Sequence, residues 1–353
     1  MAQAFRLAWD GADPGETEHA SRPAETEPLG VPVALPVDGD GAGSLLALSL
    51  AADRDRVAGG VRLRRVPSAG GRYPVDAAVG GLRYDPVGHA LDGAPPDPGV
   101  PVVLTLDPAR TVWRYGPRSL PVLLLDLGHA AAAVLAASAV LARPRVARLA
   151  GGPAGPTIEC RPESGRGPRM RPSAPGADAP GGTGGPGSGV VEGGLAACVT
   201  GGHDLGGAPA VRPSAADLLR RRSAPWAELT GPIPPVDAVL AAAERRLGPG
   251  QTAVVLGRSH PLLAALAGRA CGQPATGSSA ALLVVAGDVE PGPGTAVQYV
   301  RAGLAAHDAW LVATAAGIPA RPVGCWIDAV LRRADGGPGA RVQHALALGS
   351  VPR

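Results

Sequence analysis

The chain has 353 residues, of which 52 are Gly and 39 are Pro, yet 45% are hydrophobic and only 18% are charged. A wholly disordered chain would be less apolar and more highly charged, so packed domains joined by a Gly/Pro-rich segment are expected. The 33 basic residues are all Arg, are spread along the chain and nearly balance the 30 acidic ones, and only 3% of residues are aromatic. This pattern argues against a nucleic-acid-binding surface.

Residues 1–43 are polar and Pro-rich, which predicts a flexible N-terminal arm with one short strand near residues 31–35. The first half proper covers residues 44–150. Hydrophobic periodicity predicts its elements in this order: a helix over 44–52, a strand over 61–66, a hairpin around 85–88, a strand over 100–106 and a long helix over 120–142.

The apolar run at residues 120–142 is interrupted by Asp126 and His129. Its length would suffice to span a bilayer, but two ionisable groups and a high Ala content favour a central helix packed on all sides. No signal peptide is visible in residues 1–40, which hold acidic residues and no apolar stretch of secretory length. We therefore predict a cytoplasmic protein without a membrane segment.

Residues 151–210 are predicted to be a linker, because the segment is rich in Gly and Pro and poor in large apolar residues. The second half covers residues 211–353. Its predicted helices lie at 215–222, 234–247 and 297–318, and its strands at 252–256, 280–286 and 342–348. Each half thus contains one long Ala-rich helix with a His in it, which is a weak internal repeat.

The four cysteines (Cys160, Cys198, Cys271 and Cys325) are far apart and show no CxxC spacing. Disulfide frameworks are typical of small, Cys-rich secreted domains, so reduced thiols are expected here. The histidines are scattered and form no ligand-type pair. No metal site is predicted.

Residues 67–74 read PSAGGRYP, a run of small residues with one hydroxyl group at Ser68. Small residues let backbone amides approach a flat ligand closely. The alternative is a plain turn.

Residues 220–223 read RRRS at the end of a predicted short helix. Guanidinium donors beside a hydroxyl group suit a phosphate monoester. The alternative is a solvated basic helix end.

Residues 113–118 read WRYGPR, shortly before the long helix. A cation beside Tyr115 can lower the pKa of its phenol enough for proton abstraction. The alternative is a packed surface tyrosine.

In chain order, four segments of the first half resemble the SagB-type subgroup of the nitroreductase-like flavoproteins: PSAGGRYP (67–74), RYDPVGHAL (83–91), WRYGPRS (113–119) and LLLDLGHAAAAVLAASA (123–139). Residues 218–246 and 297–328 of the second half resemble the same superfamily. The resemblance implies an α+β, nitroreductase-like fold with an antiparallel-rich sheet flanked by helices. It also implies that two degenerate halves form an intramolecular pseudo-dimer.

Proteins of this superfamily are usually homodimers with flavin mononucleotide (FMN) at the interface. Here the first half has the small-residue loop without an Arg-Ser element, and the second half has an Arg-Ser element without such a loop. The resemblance therefore implies one composite FMN site. Its phosphate would be held by Arg221, Arg222 and Ser223, and its ring by Ser68, Ala69, Gly70 and Arg72.

SagB-type members oxidise azoline rings to azoles in ribosomally made peptide natural products, as in thiopeptide pathways, passing hydride to FMN and then electrons to dioxygen. The resemblance implies an azoline-containing peptide as substrate and cyclodehydratases as candidate partner proteins. The family's Lys-Tyr pair corresponds to Arg114 and Tyr115. Because Arg cannot act as a base at neutral pH, Tyr115 would be the catalytic base, with Arg114 stabilising its phenolate.

The sequence leaves two other functions open. One is a nitroreductase-like flavoenzyme with a different small substrate, and the other is a non-catalytic, degenerate scaffold subunit of a peptide-modifying complex. His129 in the long helix is either a flavin contact or a hydrogen-bonded core histidine.

Overall fold

The computed structural model describes residues 1–10, 29–39, 41–58, 61–97, 99–152, 154–163, 188–331 and 339–351. The helices in this part of the chain are α1 (Ala2–Asp10), α2 (Ala42–Ser49), α3 (Ala109–Tyr115), α4 (Ser119–Val140), α5 (Ser188–Ala197), α6 (Ala215–Arg220), α7 (Asp237–Glu244), α8 (Pro261–Ala267) and α9 (Thr295–Ala315). The strands are β1 (Pro32–Ala34), β2 (Ala52–Ala58), β3 (Val61–Arg64), β4 (Val75–Val79), β5 (Leu82–Asp85), β6 (Ala90–Asp92), β7 (Val102–Leu106), β8 (Arg145–Ala150), β9 (Thr157–Pro162), β10 (Gly202–Gly206), β11 (Thr252–Gly257), β12 (Ala281–Gly287), β13 (Ala320–Val323), β14 (Val330–Leu331) and β15 (Ala340–Leu348).

These strands form two main sheets, one in each half of the chain. The first has the order β1-β6-β5-β4-β7-β9-β8-β10 and the second has the order β11-β12-β15-β13, with β14 paired to β15. A separate ribbon joins β2 to β3. Every pairing among the described strands is antiparallel, as the antiparallel-rich fold prediction requires.

The two long helices lie between the sheets. Helix α4 packs on the first sheet and α9 on the second, and the two helices pack against each other. They meet at Gly128 and Gly303, where an added Cβ at either position would overlap a backbone carbonyl oxygen of the other helix. Each half therefore contributes a sheet and a long helix, and the two helices form the central interface of a pseudo-dimer.

Burial confirms that the apolar run is a central helix. Nearly every residue of α4 is buried, and Leu120, Leu123, Leu124 and Leu127 have no exposed surface. The segment Ala109–Val140 is long and apolar enough by composition to cross a membrane, but 94% of its most apolar window is buried inside the protein.

Helix α9 also occurs where periodicity predicted it. The helix ends after Ala315 because Gly317 takes a φ of 70° and the amide of Ile318 returns to the carbonyl oxygen of Ala313. This is a Schellman arrangement, which favours Gly at the left-handed position. The helix is thereby fixed at the point where the chain turns into β13.

The predicted flexible arm is wrong for its first ten residues. Helix α1 packs onto the core through Phe5, which is fully buried and stacks on Tyr299 with ring centroids 5.7 Å apart. Trp9 donates a hydrogen bond from Nε1 to the hydroxyl oxygen of Tyr299 over 2.9 Å. A short amphipathic helix can hold this position because two aromatic side chains supply most of its buried surface. Residues 11–28 lie outside the described residues.

The predicted linker is also wrong in part. Strand β9 lies inside the first sheet between β7 and β8, with Ile158 and Cys160 fully buried. Helix α5 and strand β10 follow before residue 210. These short elements carry enough apolar side chains to pack, although Gly and Pro surround them in the sequence. Residues 164–187 lie outside the described residues.

Candidate functional site

The small-residue loop after β3 is built by glycines in the left-handed region. Gly70 and Gly71 have φ values of 59° and 65°, a conformation that Gly adopts without the penalty that a side chain imposes. A Cβ at Gly70 would lie 2.7 Å from the hydroxyl oxygen of Tyr115. The loop therefore approaches Tyr115 as closely as the absence of a side chain permits.

A buried carboxylate of α4 holds the same loop. Ser68 Oγ donates to Asp126 Oδ2 over 2.6 Å, and the amide of Ala69 donates to Asp126 Oδ1 over 3.3 Å. The Ser68 hydroxyl oxygen in turn accepts from the amide of Tyr73 over 2.8 Å. Burial raises the pKa of Asp126 to about 7, although these two hydrogen bonds oppose the rise. Sequence reasoning missed this role, and the one available signal was an acid inside an apolar helix.

Tyr115 at the end of α3 lies against the loop, Arg114 precedes it in the same helix, and Arg72 is part of the loop. The Arg114 guanidinium lies 5.3 Å from the Tyr115 ring centroid, and Arg72 lies 4.4 Å from that of Trp113. The expected lowering of the Tyr115 pKa is wrong, however. Burial, and to a lesser extent the nearby Cys325, raises this pKa to about 12, because the charge of Arg114 offsets only part of the rise.

Arg221 reaches this region from the second half. It follows α6, whose start is fixed by a capping box between Ser214 and Asp217. Its guanidinium donates to the carbonyl oxygen of Arg65, three residues before Ser68, and lies 4.6 Å from the ring centroid of Trp310 on α9. The structure thus joins the second half's arginine to the residue that directly follows β3 and leads into the first half's loop.

Arg221 is a buried cation without a carboxylate partner among the described residues. Its Nε also has no hydrogen-bond partner there. Burial, together with the charges of Arg65 and Arg56, lowers its pKa to about 9. An uncompensated buried cation is costly, so this position favours an anion.

Arg222 and Ser223 do not share this environment. The Arg222 side chain is 57% exposed and lies 3.7 Å from Glu228. Ser223 is exposed as well. Because the chain leaves α6 in an extended direction, only Arg221 of the three predicted phosphate ligands points into the interface.

Three buried histidines form a hydrogen-bonded chain across the central interface. His129 on α4 pairs through Nδ1 with Nδ1 of His307 on α9 over 3.2 Å, and through Nε2 with Nε2 of His344 on β15 over 2.7 Å. His129 is therefore a hydrogen-bonded core histidine, one of the two alternatives left open by the sequence. The described residues contain no group of side chains arranged to hold a metal ion.

The residues at the interface fit the phosphate end of FMN, because Arg221 supplies a buried guanidinium with an unused donor. The ring end is different, since two donors of the loop, the Ser68 hydroxyl and the Ala69 amide, are bonded to Asp126. A cleft nearby is lined by Arg118, Cys325, Trp326 and Arg341 among others, and it has room for about one water molecule. The ring of a flavin would require the loop to move away from Asp126.

No protein-family model matches the sequence, and no curated protein matches it. Among solved structures, a protein from Anabaena variabilis ATCC 29413 that carries a nitroreductase assignment matches 100% of this chain and 99% of its own, with a TM-score of 0.70 and 16% identity. The chain therefore has the nitroreductase fold over its full length. This confirms the predicted α+β class and the arrangement of two halves as an intramolecular pseudo-dimer.

Shorter matches cover 39% of this chain. One is to a nitroreductase-assigned structure from Desulfovibrio desulfuricans in complex with FMN, with a TM-score of 0.30, 17% identity and 84% of that chain covered. Another is to a nitroreductase family protein from Clostridium novyi NT, with a TM-score of 0.30, 15% identity and 84% of that chain covered. The fold assignment rests on the full-length match alone.

Proposed function

We propose that this protein is an FMN-dependent oxidoreductase that oxidises azoline rings to azoles in a ribosomally made peptide. One observation carries the proposal: the buried, uncompensated Arg221 of the second half is bonded to Arg65, which leads from β3 into the small-residue loop of the first half. The SagB-like motifs at residues 67–74 and 113–119 supply the substrate class.

In this proposal Arg221 holds the phosphate, and the loop at Ser68, Ala69 and Gly70 lies against the ring. A phosphate monoester carries close to two negative charges at neutral pH. It would compensate the charge of Arg221 and reduce its repulsion with Arg65 and Arg56. When bound, FMN supplies a two-electron acceptor for hydride.

The substrate proton goes to a residue of this chain. Tyr115 and Arg114 remain the proposed catalytic pair, but a phenol with a pKa near 12 is a weak base at neutral pH unless it passes its own proton on. Asp126 has a pKa of about 7 and lies close enough for its charge to raise that of Tyr115. We therefore assign Asp126 as the group that takes the proton from Tyr115.

The first experiment is flavin extraction with stoichiometry. One FMN per chain is expected, because only one Arg–loop combination exists among the described residues. A ratio near two FMN per chain would contradict the single composite site. A colourless protein that cannot be reconstituted with FMN would exclude the flavoenzyme.

The second experiment is turnover of an azoline-containing peptide by the FMN-loaded protein. Mass spectrometry should show a loss of two mass units per ring oxidised. Tyr115→Phe should retain flavin and lose at least about 100-fold in turnover, the scale of general acid–base catalysis. Tyr84→Phe is the matched control, because Tyr84 is a buried tyrosine whose hydroxyl bonds to His89. Full turnover by Tyr115→Phe would remove this residue from the mechanism.

One observation favours a second candidate, a non-catalytic subunit that binds partner proteins. Asp126 engages both loop donors, and the Tyr115 pKa is raised rather than lowered. Such a subunit would bind no flavin after reconstitution. The extraction experiment therefore separates the two functions.

A further inference from the structure

The tautomers of the three-histidine chain are fixed by one backbone carbonyl. His344 Nδ1 lies 3.0 Å from the carbonyl oxygen of Val323, which can only accept, so this nitrogen carries the proton. In a neutral His344 the Nε2 is then an acceptor. His129 must therefore donate from Nε2, and its Nδ1 is left as an acceptor.

The same argument continues to His307. Since His129 Nδ1 accepts, His307 donates from Nδ1 and its Nε2 carries a lone pair. That Nε2 is buried and has no hydrogen-bond partner among the described residues. The chain thus ends on one buried, unused acceptor, and His307 lies beside Trp310 with ring centroids 6.3 Å apart.

Trp310 is also the ring on which Arg221 lies. His307 and Arg221 therefore approach the same aromatic side chain, one from α9 itself and the other from the segment after α6. Burial lowers the pKa of His307 well below its ordinary value, and the charge of Arg221 is the next largest cause of that lowering. The interface thus holds two buried nitrogens without a hydrogen-bond partner among the described residues, Arg221 Nε and His307 Nε2. An anion that arrives together with a proton would supply a partner to both.

We propose that a phosphate monoester bound at Arg221 is held jointly by the three-histidine chain, which takes up one proton at His307 Nε2 as the anion binds. This inference rests on the proposed function, because it uses the phosphate of FMN. The proton comes from solvent, and no bond to phosphorus forms or breaks. The charge can then shift along the chain, because each histidine passes a proton to the next and leaves His344 protonated on both nitrogens.

The charged and titratable groups around His307 explain why its uptake of a proton would require the bound anion. His129 faces it from α4, Arg221 from the segment after α6, and Arg246 from the end of α7. Asp308 is adjacent, but it is paired with Arg246 Nε over 2.7 Å. Burial and these two cations keep His307 neutral, and no unpaired carboxylate faces it among the described residues. A dianion beside Arg221 would reverse that balance.

The test is proton uptake on flavin binding to the apoprotein. FMN is titrated calorimetrically at pH 7.0–8.5 in two buffers of different ionisation enthalpy, with riboflavin as the probe that lacks the phosphate. In this range the phosphate monoester is already a dianion, so its own protonation contributes little. FMN should take up about one proton near pH 7, and its affinity should weaken up to about tenfold per unit rise in pH.

The matched variant is His307→Asn, because the Asn amide keeps a donor toward His129 and removes the Nε2 acceptor. Its FMN affinity should be about tenfold lower near pH 7 and nearly independent of pH. The control is His203→Asn, since His203 lies at the surface near Thr200 and outside the interface. This control should take up the same proton as the wild type.

Tight FMN binding without proton uptake would overturn the inference and leave the proposed function standing. Equal uptake with riboflavin would also overturn it, even if His307→Asn failed to fold. If FMN does not bind, the proposed function fails, and inorganic phosphate becomes the probe. Phosphate binding without proton uptake, or no phosphate binding, then overturns the inference.

Discussion

Ser68 and Asp126 are joined by a 2.6 Å hydrogen bond between a loop hydroxyl group and a fully buried carboxylate. The bond connects the small-residue loop to the central helix of the same half. Burial raises the pKa of Asp126 to about 7.

Asp126→Asn should remove part of the pH dependence of the free energy of unfolding. A carboxyl group whose folded pKa is raised contributes stability that is present at low pH and lost as the pH rises through the folded value. Between pH 4 and pH 8 the wild type should lose on the order of 3 kcal/mol relative to the variant. Urea unfolding at several pH values measures this difference. Asp55→Asn, at an exposed position in β2, should show no such change.

Arg221→Met should raise stability and abolish flavin affinity together. Replacing a buried, unpaired cation by an apolar side chain should stabilise the apoprotein by about 1–3 kcal/mol. The same change should remove the stabilisation that excess FMN gives the wild type. Thermal melts with and without FMN measure both effects. Arg222→Met, at a largely exposed position, should change neither by more than about 0.5 kcal/mol.

His344→Asn should reduce the sensitivity of the fold to acid. Burial lowers the pKa of His344 to about 4. As the pH falls through about 6.5, this histidine is therefore protonated in the unfolded chain but stays neutral in the folded protein. Stability is therefore present above that pH and lost as the pH falls toward 4, by about 3 kcal/mol for this group. Denaturant unfolding at pH 4.5 and 7.5 tests this, and an unchanged difference between the two pH values would contradict it.

Gly128→Ala should destabilise the protein by about 2–4 kcal/mol, because the new methyl group would overlap the carbonyl oxygen of Val300 and separate the two long helices. Gly193→Ala is the control, since an added Cβ at this exposed helical position meets nothing within 4 Å. This control should stabilise α5 by about 0.5–1 kcal/mol. Equal melting temperatures for both variants would show that the helices separate without cost.

The long helices could be predicted from sequence because a run of more than twenty mostly apolar, Ala-rich residues has few other solutions. Helix α1 and strand β9 could not, since their apolar surface is supplied by a few side chains that find partners only in the folded protein. Motif resemblance located Arg221 and the loop at Ser68. It did not distinguish Arg221 from its exposed neighbour Arg222, because that difference depends on the direction in which the chain leaves α6.

The histidine chain was beyond the reach of any local pattern. Its members stand at positions 129, 307 and 344, and they meet because α4, α9 and β15 pack together. The raised pKa of Tyr115 could not be predicted from the sequence either. Sequence shows the neighbouring Arg114, but it does not show the burial that outweighs this charge.

The contact of Gly128 with Gly303 joins two helices of the same chain, and this affects which substitutions such a protein can accumulate. In a homodimer, the subunits separate on dilution, and every substitution appears on both sides of the axis. Here one covalent chain carries both helices, so their pairing is independent of protein concentration. Each half is therefore free to lose what the other supplies, and a single asymmetric centre can persist where a symmetric ancestor would need two identical ones.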